Sequence, residues 1–319
     1  MKSQSLAAAN SPSVTPAKPD ASPQASRKVY LIGLSIALSG AILFSTKAIV
    51  AKLIYHYHVD AMTLLAFRML FSLPIFAAVA YWQMRKSAPL SVADRWRLFG
   101  LGLIGYYLSS YLDFMGLEYI SVGLERLILF LIPTFVLLIG AIFFKKRIDK
   151  VEWLALVISY LGIVLVFMHD LQNGGNRVAL GSTLVFGAAL AYAMYLIFSG
   201  ELLQRIGSLR LASYAMCTSS AAGIAQFFIL RPTAMLVQPG PVYWLSLVNA
   251  IFCTVLPVFL TMTAVARIGA ASTSQASMVG PIATLFLGVW ILNDPITGWQ
   301  LTGTGLVLAG MYLLSLKKS

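Results

Sequence analysis

The sequence predicts an all-α integral membrane protein whose ten transmembrane helices form two inverted five-helix repeats. Three observations carry that prediction. Hydrophobic residues make up 59% of the 319 and charged residues 11%, with a mean hydropathy of +0.83, so too little polar surface exists to cover a soluble particle. The apolar residues gather into ten runs joined by short polar loops. The second half of the chain lies on the first with a constant shift of 148 residues and no gap.

Residues 1–28, rich in Ser, Pro and Ala and without a hydrophobic run, read as a disordered tail. A long polar tail, rather than a short basic region, precedes the first apolar run, which therefore reads as an uncleaved helix. In the first half the runs lie at about Val29 to Val50, Ala61 to Tyr81, Leu98 to Met115, Ile120 to Phe144 and Trp153 to Phe167. In the second half they lie at about Ala179 to Phe198, Leu211 to Leu230, Val242 to Val265, Ala270 to Leu292 and Trp299 to Leu316. Most approach the roughly 20 residues that cross a hydrocarbon core. No series of alternating ten-residue segments suggests a barrel.

A net charge of +12 would suggest nucleic acid in a soluble protein, yet no basic patch is interleaved with aromatics. The cations sort by loop instead. One set of alternate loops, the N-terminal tail included, holds 17 Lys and Arg, whereas the other holds only Lys52, Arg177 and Arg231. The positive-inside rule then puts both termini in the cytoplasm, with the chain in the plasma (inner) membrane.

Under the 148-residue shift Gly33 meets Gly181, Ile120 meets Ile268, Pro133 meets Pro281 and Gly162 meets Gly310. Coincidences at Gly are expected among membrane helices, so the paired prolines and matching segment lengths carry the weight. The repeats fall at residues 29–168 and 179–316. Five is odd, so the second repeat enters the membrane from the opposite side. Inverted repeats with Pro-interrupted helices at equivalent positions are the architecture of secondary transporters, which bind solute between the repeats near the midplane.

The same stretches resemble a known family. LLAFRMLFSLP around Arg68, with the repeat ends LERLILFLIPTFVLLIGAIFFKKRIDKVEWLALVISYLGIVLVF and TSQASMVGPIATLFLGVWILNDPITGWQLTGTGLVLAGMYLL, is similar to the drug/metabolite transporter superfamily, specifically its EamA-type members. Both ends carry the small-polar helix start, a mid-helix proline, a hydrophilic turn and a Gly-containing last helix. The family usually has an acidic residue in the turn after the fourth and ninth helices. Here Asp294 keeps it in the second repeat, whereas Lys145 and Lys146 stand in the first. The resemblance implies a carrier of small organic molecules and does not name the solute.

Formal charges inside the spans are few, and all belong to the first repeat. Lys47 lies near the outer end of helix 1, Arg68 about two turns into helix 2, Asp113 near the outer end of helix 3, and Glu125 with Arg126 early in helix 4. A charge at the centre of a membrane helix costs roughly 2.5 to 3.5 kcal/mol on insertion scales, so this group must face something polar. Tyr106, Ser109, Ser110 and Asp113 recur at i, i+3, i+4 and i+7 and form one stripe. The second repeat offers neutral groups: Tyr192, Tyr195, Asn249, and Ser272 through Gln275. The candidate solute-binding residues are Lys47, Arg68, Tyr106, Ser110, Asp113, Glu125, Arg126, Tyr192, Tyr195, Asn249 and Gln275. Pro133 and Pro281 are the candidate bending points of the gates.

Three cations and two anions suit a solute that is anionic or carries both a carboxylate and an amine, and Asp113 or Glu125 would also serve proton coupling. Structural alternatives stand beside each role. Lys47 can reach back to the interface, Arg68 can clamp Asp113 or Glu125, and hydroxyl stripes can simply join helices.

No HExxH, GxSxG or Walker loop occurs, so catalysis and ATP-driven pumping lack their machinery; an intramembrane enzyme and a non-transporting scaffold or sensor are the competing readings. Cys217 and Cys253 lie in apolar runs without metal-ligand spacing, and no cofactor, metal or nucleic-acid partner is expected. The expected partners are a small solute and the lipid bilayer. Gly303, Gly305 and Gly310 are expected to pack within the chain, and the oligomeric state is left open.

Overall fold

The computed structural model describes residues 23–145, 148–277, 279–293 and 297–316, and the regular elements among them are all helical. Residues 1–22 of the expected tail lie outside this set. Helix α1 runs from Pro23 to Tyr55, so residues 23–28, expected in the tail, are helical and continuous with the first span. Proline suits a first helical turn, whose amides have no intrahelical acceptor, and the Gln, Ala, Arg and Lys that follow are good helix formers.

Capping side chains set the next starts. Asp60 accepts the Thr63 amide at 3.1 Å to open α2 (Ala61–Lys86), and Ser91 accepts that of Asp94 at 3.1 Å to open α3 (Val92–Gly102). From α3 the chain passes through a π-turn at Leu103–Leu108 into α4 (Ser109–Leu117) without leaving the helix. Ser121 caps α5 (Val122–Leu129), which breaks at Phe130 and Leu131 before α6 (Ile132–Phe144). The break falls just ahead of Pro133, which has no amide to donate across it.

Helix α7 (Lys150–Phe198) consists of two arms that meet at Gly175, whose φ of 57° and ψ of −141° suit a residue without a Cβ. The second half continues with α8 (Gly200–Ile206), α9 (Ser208–Leu230), α10 (Gly240–Ala250), a second π-turn at Ile251–Val255, α11 (Leu256–Ala276), α12 (Val279–Leu292) and α13 (Gly298–Leu316). The two π-turns start at Leu103 and Ile251, which the 148-residue shift superposes.

Among the described residues seven stretches are long and apolar enough to cross a membrane: Lys28–Tyr55, Ala61–Lys86, Val122–Phe143, Lys150–Gln172, Gly175–Phe198, Ser208–Leu230 and Gly240–Val265. The remaining expected segments fall on the helix 92–117 and on α12 and α13.

Helices of one half pack against helices of the other. Along α1, Gly40 faces Leu260 and Thr261, Gly33 faces Ile268, and Gly280 faces Ser45. The chain therefore descends one side of α1 as far as Ile268 and has returned along it by Gly280. Helix α2 lies antiparallel to α9, with Asp60 at Arg231 and Met69 at Ser220. Helix α4 lies antiparallel to the second arm of α7, with Gly116 at Val185 and Ser109 bonded to the Ala188 carbonyl. The first arm of α7 meets α13 most closely. A Cβ on Gly310 would stand 2.2 Å from Ser159 Oγ and 2.6 Å from the Ala155 carbonyl, so these backbones touch where larger side chains would part them. Gly303 packs against Gly162 in the same seam.

Two apolar cores flank the centre. One joins α1, α2, α4 and α10 around Ile54, Leu64, Met69 and Phe114, and the other joins α5, α6, α7 and α13 around Leu124, Leu127, Val185 and Val307.

Candidate functional site

The intramembrane charges meet between these cores. Lys47 Nζ donates to Asp113 Oδ2 and lies 3.9 Å from Glu125 Oε1. Arg126 Nε lies 3.3 Å from Glu125 Oε2, while its Nη2 donates to the Phe44 carbonyl at 3.0 Å. Two rings separate the three cations. Phe44 lies 5.3 Å from Arg126 and 5.4 Å from Lys47, and Phe114 lies 5.4 Å from Lys47 and 5.3 Å from Arg68. Each ring face offers partial negative charge, which lets like charges crowd into one apolar region.

Lys47 therefore turns inward instead of reaching for the interface. Arg68 differs from the clamp expected as an alternative, because it forms no ion pair among the described residues. Its Nε donates to Thr254 Oγ1 at 2.8 Å and its Nη1 to Ser110 Oγ at 3.1 Å. Lys47, which also lies over the Phe114 ring, has taken Asp113. Glu125 is wholly buried, and Arg126 and Lys47 approach its oxygens without the geometry of a hydrogen bond; among the described residues Asp113 Oδ1 and Asn249 Oδ1 also lack a hydrogen-bond donor. Sealed carboxylate oxygens of this kind are costly, and they mark a place where a proton or a ligand group would be welcome.

The second repeat reaches this centre through its π-turn. Asn249 donates to the Lys47 carbonyl at 3.3 Å, and the Thr254 hydroxyl donates to the Asn249 carbonyl at 2.9 Å while accepting from Arg68. Thr46 Oγ1 and Cys253 Sγ are 3.1 Å apart beside it. The first π-turn carries Tyr106, whose ring meets Tyr195 at 5.0 Å and Tyr192 at 6.1 Å, both edge-on. Gly105 permits that approach, since a Cβ there would stand 2.3 Å from the Tyr195 ring.

Most of the expected residues thus gather in two adjoining groups, one ionic and one aromatic. The polar stripe of helix 3 splits between them: Tyr106 faces the tyrosines, Ser109 holds α7, and Ser110 and Asp113 serve the ionic group. Pro133 is the second residue of α6, just after the break in its helix. The side chains of Gln275 and Pro281 lie outside the described residues. Thr254, Phe44 and Phe114 were not anticipated. Thr254 had a signal, because the 148-residue shift places it on Tyr106.

Ion pairs between the halves close both ends of the centre. On one side Arg231 donates to Asp60 at 2.6 and 2.9 Å, next to Glu118, which accepts the Ala61 amide. Burial raises the Glu118 carboxyl above its ordinary value, against the lowering effect of that amide. On the other side Arg205 grips Asp94 at 2.9 and 3.2 Å. The Ser91 hydroxyl first, and then Arg205, hold the Asp94 carboxyl below its ordinary value.

Comparison with known proteins is consistent along the length of the chain. The profile of the EamA-like transporter family matches residues 31–168 and again 179–316, two stretches that are themselves 148 residues apart. An "Uncharacterized transporter YcbK" of Bacillus subtilis is 30% identical over 89% of this chain and 94% of its own. A "Probable amino-acid metabolite efflux pump" of Salmonella typhimurium is 26% identical over 87% and 93%. A solved crystal structure, 15% identical, superposes with a TM-score of 0.64 over 90% of this chain and 97% of that one, a likeness of fold alone.

Proposed function

The chain belongs to the EamA-like transporter family and is a multi-pass membrane protein; on that premise we propose that it is a secondary-active carrier exporting small organic solutes by alternating access. The reading assigns ten spans in two inverted repeats, residues 29–168 and 179–316, with both termini in the cytoplasm and the inner membrane as its location. Amino-acid-like, zwitterionic or anionic solutes are favoured. The name of the Salmonella relative supports both export and that class of solute.

One observation carries the proposal: the Arg68 guanidinium of the first repeat, nearly closed to water, is held by the Thr254 hydroxyl of the second, whose Asn249 amide also holds the backbone carbonyl of Lys47. A scaffold has no need to bury three cations and two carboxylates at the contact of its halves. A carrier has, because a bound solute replaces water there and the contact must open to either side. The helix breaks ahead of Pro133 and near Gly280 supply places to bend, and the sealed oxygens of Glu125 supply a site for a coupling proton.

The test is solute flux in reconstituted vesicles across a metabolite panel, with and without a proton gradient. Arg68→Ala and Glu125→Gln should each abolish flux while the protein still inserts normally. Unchanged transport in both variants would remove the proposed site.

A further inference from the structure

Among the three cations that meet at this centre, Arg68 is the one without an ion pair among the described residues. Lys47 has Asp113, Arg126 has Glu125, and Arg68 has only two hydroxyls, so three cations face two carboxylates in a region nearly closed to water. Burying an excess positive charge is unfavourable unless something of opposite sign arrives. The hydrogen bonds say where it would arrive. Thr254 occupies Nε and Ser110 one hydrogen of Nη1, which leaves one hydrogen on Nη1 and two on Nη2 without a partner among the described residues, and one from each nitrogen can form a two-donor edge. That edge matches the two oxygens of a carboxylate.

The hydroxyls are placed by an unusual backbone feature that occurs twice. Thr254 stands within the second π-turn, where its hydroxyl also satisfies the Asn249 carbonyl five residues back. Ser110 follows the first π-turn, and Tyr106 within that turn occupies the position equivalent to Thr254. A π-turn widens a helix by one residue and is found most often at functional sites. Here the pair brackets a guanidinium from a third helix, α2, and Thr254 reaches it from the other repeat.

We propose that the Arg68 guanidinium, bracketed by hydroxyls at two repeat-related π-turns, anchors the carboxylate of the carried solute, and that Thr254 is the residue positioning it. The assignment rests on the carrier reading above and sharpens it. The Lys47–Asp113 and Arg126–Glu125 pairs neutralise themselves, so they build the site while Arg68 recognises the charge. Because Thr254 belongs to the second repeat, its bond to Arg68 also joins carboxylate binding to the relative position of the two halves.

Acetate, butyrate and benzoate, each against its amide at matched ionic strength, are the probes, with thermal unfolding of the full-length protein in detergent as the readout. The acids should raise the unfolding temperature in a saturable way and the amides should not. Arg68→Gln should weaken the apparent affinity for the acids roughly 10- to 100-fold. Thr254→Val should weaken it roughly 2- to 10-fold, with Thr254→Ser restoring it. Equal effects of acids and amides, no saturable effect of any acid, or acid binding that survives Arg68→Gln would each overturn the assignment. Flux of carboxylate-bearing solutes undiminished by Arg68→Gln would sink this assignment and leave the carrier reading standing. Acid-selective binding without flux of any solute would support it and sink the carrier.

Discussion

Replacing Asp113 with leucine takes away the oxygen to which Lys47 donates and leaves the ammonium with Glu125 at 3.9 Å, a carboxylate already engaged by Arg126. The side chains of Lys47 and Asp113 are only 7% and 3% exposed, so water cannot take the lost place. Two unit charges about 4 Å apart attract by roughly 4 kcal/mol at an effective dielectric constant near 20. Removing one partner of a buried pair typically costs about 3 to 5 kcal/mol, since the survivor remains charged and desolvated. The expected loss for Asp113→Leu is therefore about 3 to 5 kcal/mol. Lys47→Met should also cost stability, because it leaves Asp113 buried without its partner. The double variant Lys47→Met/Asp113→Leu removes both charges and should recover most of the loss, with a coupling energy of about 2 to 3 kcal/mol. Reversible unfolding of the four proteins in mixed micelles closes the cycle. If the two single losses simply add to within about 0.5 kcal/mol, Lys47 and Asp113 are independent and the ionic centre is wrong as described.

Three further outcomes test other parts of the fold. Gly310→Val should part α13 from α7 and lower stability by about 1 to 3 kcal/mol in the same unfolding assay, whereas Gly305→Val, at a position with open space around it, should change little. Asp94, with its carboxyl held below the ordinary value near 3.9, contributes stability that is present above that value and is lost as pH falls through the lower folded one. Asp94→Asn should flatten that acid limb of a plot of unfolding temperature against pH. Glu118 runs the other way: burial raises it, so its contribution is full below the ordinary carboxylate value and is lost as pH rises through the raised one. Glu118→Gln should remove this dependence, because the glutamine oxygen can still accept the Ala61 amide.

Hydropathy and the 148-residue shift made the helical segments legible, since both are properties of long stretches and survive local error. Charge depth likewise identified Lys47, Asp113, Glu125 and Arg126, because few arrangements in a membrane can hold them. Which cation would pair with which carboxylate was not legible. Lys47 and Arg68 both lie against the Phe114 ring, and only the tertiary packing there decides that Lys47 obtains Asp113. The π-turns were hidden for a different reason. Leu103–Leu108 and Ile251–Val255 are ordinary apolar sequence, and the widened turn answers to the helices around it, such as Tyr195 pressed on Gly105. Thr254 escaped notice as a single hydroxyl in an apolar run. The start of α1 at Pro23 was missed because a polar stretch carries no hydropathy signal even when a neighbouring helix extends into it.

The bend at Gly175 is the covalent join between the two halves, and α1, α2, α4 and the first arm of α7 all find their neighbours across that divide through side chains and backbone contacts. A peptide connection contributes little beyond raising the local concentration of one piece near the other. Two separately translated fragments, cut at this glycine and produced in the same cell, should consequently find each other and co-purify without a tether. A failure to co-purify would mean that continuity of the chain, and not surface complementarity, directs assembly.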